Sequence, residues 1–153
     1  MNEPRRRVTI LVAEDDPDDR VLIEQAFGER SKAGGLEFLR DGEELMDRLH
    51  CRGGFTDHTR FPQPGLVLLD LNMPRKDGRE ALAEIKSDPG LRTLPVVVLT
   101  TSCAEEDVLR SYRLGANSYI TKPSTYSELV SALDSLGTYW LSVVELPLAR
   151  QPE

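Results

Sequence analysis

The sequence predicts a doubly wound α/β domain: one five-stranded parallel sheet with helices on both faces. Three observations predict it. Five short apolar runs alternate with five stretches of helical character, the order that gives parallel strands joined by right-handed crossovers. The runs at 8–13 and 65–69 carry almost no polar residue, as strands covered on both faces require. The segments between strands open on helix-capping signals rather than hairpin turns.

Residues 8–13 (VTILVA) form the first strand, rich in β-branched side chains. The run ends in Glu14-Asp15-Asp16-Pro17. Pro17 suits a first helical position and Asp16 its N-cap. Val21, Leu22, Ala26 and Phe27 give that helix an apolar face, and Gly28 is its expected stop. Residues 36–39 read as a short second strand. Asp41-Gly42-Glu43-Glu44 is a capping box, continued by Leu45, Met46 and Leu49.

From 51 to 64 the periodicity disappears, and Gly53, Gly54, Pro62 and Pro64 break anything regular. A connection of this length is uncommon in a compact domain and is often functional. The stretch 65–74 (GLVLLDLNMP) follows, with four aliphatics leading to Asp70, then Asn72 and Pro74. Pro74 stops the ladder, which puts Asp70 at the strand's carboxyl end, the edge where open α/β sheets bind ligands.

Asp77-Gly78-Arg79-Glu80 is a second capping box, opening a helix through Ala81, Leu82, Ile85 and Lys86. Residues 95–100 (PVVVLT) are a buried strand ending on Thr100. Ser102-Cys103-Ala104-Glu105 is a third capping box for a helix to about Leu114, with Gly115 as its stop. Residues 118–121 (SYIT) form the fifth strand, followed by Lys122-Pro123 and a long helix over 124–144. In that helix Leu129, Leu133, Leu136, Trp140 and Val143 step by four and three and form one core face. Tyr126, Val130, Tyr139, Leu141 and Val144 fall outside it. A helix apolar over so much of its girth calls for a second covering surface, here a twofold homodimer through this helix.

The chain of 153 residues has the length of one domain. The boundaries expected are a lead-in over 1–7, the domain over 8–146 with an inserted loop at 51–64, and a short tail over 147–153. Net charge is -7, from 26 acids and 19 bases. That balance argues against nucleic acid as a partner, and Arg5-Arg6-Arg7 is too short a basic patch to change this. No apolar run approaches the roughly 20 residues of a membrane span, so no membrane association is expected. Cys51 and Cys103 do not make a disulfide framework, which suits a reducing cytoplasm. His50, Cys51 and His58 lack further ligands at a recognised metal spacing.

Four strand ends place Glu14-Asp15, Asp70, Thr100 and Lys122 on one rim. Clustered carboxylates are tolerated where a divalent cation or a lysine neutralises them. With hard oxygen ligands and few protein groups, Mg²⁺ is the natural cation. A hydroxyl from Thr100 and a mobile charge from Lys122 complete the parts that stabilise a phosphoryl group in transfer.

Glu14-Asp15, Asp70, Thr100 and Lys122-Pro123, in this order and on these elements, resemble the receiver domain of two-component response regulators, over nearly the whole chain. The resemblance implies a flavodoxin-like fold and a switch rather than a metabolic enzyme. It makes Asp70 the phosphoacceptor, taking a phosphoryl group from the phosphohistidine of a sensor kinase. Asp15, Asp70 and the Asn72 backbone carbonyl would bind Mg²⁺ directly, and Glu14 through a water. Lys122 would pair with the phosphoryl oxygens, Thr100 would swing to them, and the Lys122–Pro123 bond is commonly cis in the family. Tyr119 holds the position of the aromatic switch that turns inward as the threonine moves. Asn72 and Ser102 lie where phosphoryl lifetime is set.

The stretch 69–80 (LDLNMPRKDGRE), the 51–64 insertion and Tyr139-Trp140 are similar to the small regulators that partner bacterial phytochromes. Members of that group are stand-alone receivers that dimerise through the last helix. The few residues after Val144 leave no room for an output domain, so output is expected through a partner protein or a phosphorelay. A Mg²⁺-dependent phosphatase of the haloacid dehalogenase type would want an acid at position 72 and a cap domain. A degenerate, binding-only receiver is opposed by the complete acid, threonine and lysine set. A nucleotide site would need a glycine-rich phosphate loop, and none follows a strand.

Overall fold

The computed structural model describes residues 8–31 and 35–147. The lead-in at 1–7 and all but the first residue of the tail lie outside that range. Five strands, β1 (Thr9–Ala13), β2 (Leu36–Leu39), β3 (Pro64–Leu69), β4 (Val96–Thr100) and β5 (Ser118–Thr121), alternate with five helices. These are α1 (Pro17–Ser31), α2 (Gly42–Leu49), α3 (Gly78–Ser87), α4 (Glu105–Leu114) and α5 (Tyr126–Thr138). The strands pair in parallel in the order β2-β1-β3-β4-β5. β1 and β3 therefore sit centrally, which accounts for their unbroken apolar runs.

The sheet separates two cores. Leu11, Val67, Leu69 and Val98 meet α2 and α3 through Leu45, Leu82 and Ile85 on one face. Ile10, Val12, Leu66, Leu68 and Leu99 meet α1 and α5 through Ile23, Phe27, Leu129 and Leu133 on the other. Adjacent residues along each strand thus serve opposite layers, the period-2 rule of an extended chain.

Local signals explain most helix starts. Asp16 Oδ1 accepts from the Asp18 N–H at 2.8 Å, Asp41 Oδ1 from Glu44 N–H at 2.8 Å and Asp77 Oδ1 from Glu80 N–H at 3.0 Å. The third capping box does not form. The N-cap of α4 is Ala104, with no side-chain cap, because the Ser102 hydroxyl donates to Asp107 Oδ2 instead, at 2.6 Å. Gly115 closes α4 with φ +110°, in the left-handed region. Gly28 does not stop α1, which runs on to Ser31. A glycine costs a helix about 1 kcal/mol but need not end it, and here the helical run continues through Gly28.

Two further expectations change. The α5 helix ends at Thr138 and is followed by a π-helical turn, Tyr139–Val143. The wider turn rotates the chain out of the four-three stepping, so Leu129, Leu133 and Leu136 are buried whereas Val143 is 65% exposed. The 51–64 loop holds a 3₁₀ turn, Gly53–Phe55, and its last residue, Pro64, opens β3. A buried arginine organises it. Arg48 donates from Nε to Glu37 Oε2 at 2.7 Å and from Nη2 to the Pro62 carbonyl. Its guanidinium also lies 5.6 Å from the centre of the Phe61 ring. Among the described residues no peptide bond is cis. Lys122–Pro123 is therefore trans, the isomer X–Pro bonds favour by about 0.5–1 kcal/mol.

Candidate functional site

The carboxyl ends of β1, β3, β4 and β5 lie side by side, so residues far apart in sequence meet on one rim. Asp70 follows β3 and is buried. Its N–H donates to the Ala13 carbonyl at 3.0 Å, which fixes it against the end of β1. Its Oδ1 accepts from the Thr100 hydroxyl at 2.8 Å and from the Asn72 N–H at 3.1 Å. Its Oδ2 accepts from Lys122 Nζ at 3.1 Å. Lys122 also donates to Glu14 Oε2 at 2.7 Å.

Carboxylate oxygens of Glu14, Asp15 and Asp70 lie within 4.8 Å of one another. Among the described residues no other cluster of three or more acid, histidine or cysteine groups does so. His50 instead faces Glu84 and Asp88, each at 3.9 Å. Three hard oxygen donors at that spacing, one exposed and two buried, fit a divalent cation that keeps part of its water shell.

The electrostatics of the rim pull in opposite directions. Burial pushes the Glu14 carboxyl up to about 8, with the neighbouring Asp70 adding to the rise and Lys122 opposing it. Burial also raises Asp70, but hydrogen bonding to Glu14, the Lys122 charge and the Asn72 and Thr100 donors outweigh it. Asp70 is held below the usual carboxylate range, as a nucleophile must be. Lys122 loses solvation on burial, yet its acidic partners raise it above its ordinary value, so it stays charged.

Thr100 reaches Asp70 directly, because the carboxylate is itself an acceptor at hydroxyl distance. Tyr119 is half-buried, and its hydroxyl donates to the Ser102 carbonyl at 2.7 Å. Asp16 serves as the N-cap and stays out of the acid cluster. The sequence-predicted residues Glu14, Asp70, Asn72, Thr100 and Lys122 thus share one hydrogen-bonded network. Asp15 joins it through the oxygen cluster, and Tyr119 bonds the β4–α4 loop at Ser102.

Sequence reasoning missed three residues here. Asp19 Oδ2 accepts from Lys122 at 2.8 Å, and Arg20 Nε donates to the Glu14 carbonyl at 2.6 Å. Both ride on the first turn of α1, which turns back over the rim. Their place in the first turn after the Asp16 cap put them near the rim, but nothing in the local sequence pointed to Lys122 as a partner. Arg79 is the third, forming a bidentate pair with Asp107. Tyr126, Val130, Tyr139, Trp140 and Val144 lie away from the rim on α5 and the turn after it, with Tyr126 and Tyr139 exposed.

Residues 10–134 match the family model of the response regulator receiver domain. The chain is 43% identical over 140 residues to response regulator Rcp1 of Synechocystis sp., covering 92% of this chain and 93% of that protein. Its fold superposes on the phosphorylated cyanobacterial phytochrome response regulator RcpA with a TM-score of 0.88 and 42% identity, over 93% of this chain and 99% of the other. It superposes on the Mn²⁺-bound form of Rcp1 with a TM-score of 0.86 and 42% identity, over 92% and 99%. With the match spanning most of its length and an aspartate, a threonine and a lysine joined at the sheet's carboxyl edge, this chain belongs to the response regulator receiver domains, the phosphoacceptor switches of two-component signalling.

Proposed function

We propose that this protein accepts a phosphoryl group on Asp70 from a sensor histidine kinase of the bacterial phytochrome type, with Mg²⁺ held by Asp15, Asp70 and the Asn72 backbone carbonyl. The observation that carries the reading is the convergence of Thr100, Lys122 and the Asn72 N–H on the two oxygens of a buried, ionised Asp70. Asp70 attacks phosphorus, so that an Asp70 O–P bond forms as the donor's bond to phosphorus breaks. Lys122 then gives its hydrogen bond to a phosphoryl oxygen, and Thr100 gives its hydroxyl to another. Bound Mg²⁺ supplies neutralising charge to the phosphoryl oxygens. The same groups assist the later hydrolysis, so the domain promotes its own loading and unloading.

An aspartyl phosphate brings about two negative charges to the rim. Thr100, Ser102 and Tyr119 carry that change along the β4–α4 loop toward α4. The likeness to RcpA, a cyanobacterial phytochrome response regulator, supports a phytochrome partner, and membership of the receiver family supports the cytoplasm as the site of action. No described helix is long and apolar enough to cross a membrane. The exposed apolar groups of α5 and its π-helical turn support a homodimer through that face.

Intact mass after incubation with acetyl phosphate and Mg²⁺ tests the site. The wild type gains one labile phosphoryl group, and the gain disappears without Mg²⁺ or in Asp70→Asn. An adduct that persists in Asp70→Asn assigns the chemistry to another residue. Transfer from a phytochrome-type histidine kinase then tests the partner.

A further inference from the structure

The Lys122 side chain is only 6% exposed, and its three ammonium N–H groups meet the carboxyl oxygens of three acids. Glu14 accepts at 2.7 Å, Asp19 at 2.8 Å and Asp70 at 3.1 Å. An ammonium has no further donor to give. The three acids are not equivalent. Glu14 and Asp70 belong to the oxygen cluster that fits a divalent cation, whereas Asp19 does not. Asp19 is fixed from another direction, since its N–H and that of Asp18 cap onto Asp16 Oδ1 at the start of α1.

A first-turn acid serving only the helix dipole would face solvent, as Asp18 does. Asp19 instead points inward, with its side chain 24% exposed, onto a lysine that water scarcely reaches. We infer that Asp19 is a positioning residue for phosphoryl transfer: it anchors Lys122 from α1 and keeps one ammonium N–H aimed at the phosphoryl position on Asp70 when Glu14 and Asp70 engage a cation. The inference rests on the phosphoacceptor reading of Asp70.

The chemistry asks little else of Asp19. Lys122 gains and loses no proton as the Asp70 O–P bond forms. The N–H that now meets Asp70 Oδ2 passes to a phosphoryl oxygen. With Asp19 holding a second N–H, the ammonium stays at the rim even where a cation draws Glu14 away. Without Asp19 a cation that draws off Glu14 leaves Lys122 free to swing toward solvent, and the transfer loses a preplaced charge.

The test compares wild type, Asp19→Asn and Asp19→Glu by three readouts. Initial rates of adduct formation with acetyl phosphate are taken at saturating Mg²⁺, and Mg²⁺ affinity is taken by calorimetry. The Lys122 ammonium signal is followed by ¹⁵N NMR with Mg²⁺ present. Asp19→Asn is expected to slow adduct formation by about tenfold, because an amide oxygen holds the ammonium without the carboxylate's charge. Its Mg²⁺ affinity stays unchanged and the exchange-protected ammonium signal disappears. Asp19→Glu restores most of the rate and the signal.

An unchanged or faster rate in Asp19→Asn overturns the inference while leaving the phosphoacceptor reading intact. A parallel loss of Mg²⁺ affinity overturns it in favour of a metal-site role. A protected Lys122 ammonium in Asp19→Asn overturns it on structural grounds. A wild type that takes no phosphoryl group from acetyl phosphate or from the kinase removes the underlying reading, and this inference with it.

Discussion

Glu14 carries the strongest electrostatic conflict of any residue on the rim. Burial lifts its carboxyl from an ordinary 4.5 to about 8, so the metal-free fold holds a proton that the unfolded chain releases. The linkage sign follows: this group's contribution is full below about 4.5 and is lost as pH rises toward about 8. A cation's field favours the ionised carboxylate, so binding must expel that proton. Mg²⁺ is therefore expected to raise Tm more at about pH 9 than at about pH 6. In Glu14→Gln the difference between the two pH values shrinks. Equal Mg²⁺ shifts across this range would show that Glu14 is already ionised in the folded protein. Gly78 poses a steric constraint instead. A Cβ there would lie 2.1 Å from the Asp70 carbonyl oxygen, with the Gly78 N–H bonded to Leu71 O at 3.0 Å. Gly78→Ala is expected to cost about 3 kcal/mol by overpacking. It should also slow phosphorylation, because the displaced backbone is the one that carries the acceptor. Denaturant unfolding and the adduct assay measure the two effects.

Among the elements, α4 depends most on a single polar link. Arg79 on α3 grips Asp107 on α4 with two hydrogen bonds, at 2.8 and 2.7 Å, and Ser102 donates to the same carboxylate. The Arg79 and Ser102 hydrogen bonds hold Asp107 down to about 2. Tyr119 then closes the chain onto the Ser102 carbonyl. Arg79→Ala should cost about 1 kcal/mol, because the pair is bidentate but partly solvated. It should speed hydrogen exchange over residues 101–110 while leaving α2 and α3 unchanged. Exchange that is unaltered there would mean that packing alone holds α4. This link also shows where the sequence could be read and where it could not. Asp41 and Asp77 were legible as caps because each bonds an amide three residues on, within its own segment. Ser102 fits the same pattern, but its hydroxyl went to a carboxylate held by another helix. Asp19 was hidden for the same reason: its partner lies at the far end of the chain.

At the scale of the whole molecule, the parallel sheet and the shared rim followed from apolar runs and polar strand ends, because β1 and β3 are buried on both faces; the order β2-β1-β3-β4-β5 comes from the structure. The outer surface was less legible. Arg48, charged and so not among the apolar positions that marked α2, is buried and bonded to the 51–64 loop at the Pro62 carbonyl. The π-helical turn has no marker in the four-three stepping that it interrupts. That turn bears on assembly. It puts Tyr139 and Val143 on the surface, 51% and 65% exposed, with Tyr139 edge-on to Trp140 at 5.3 Å. A shallow groove beside them, lined by Ile120, Ala132, Tyr139 and Trp140, runs between β5 and α5. Exposed aromatics around an apolar groove suit a self-complementary twofold contact, in which each copy offers both the protruding groups and the groove. The wild type is then expected to elute as a dimer, with its mass fixed by light scattering. Tyr139→Glu combined with Val143→Glu should make it monomeric with the fold intact by circular dichroism, since both side chains are exposed and the cores lie elsewhere, and its Tm should no longer rise with protein concentration. A monomeric wild type would refute the contact. A dimer that survives both substitutions would move it to another face, and the exposed Val21 and Tyr126 on the neighbouring α1–α5 surface would be the next to change.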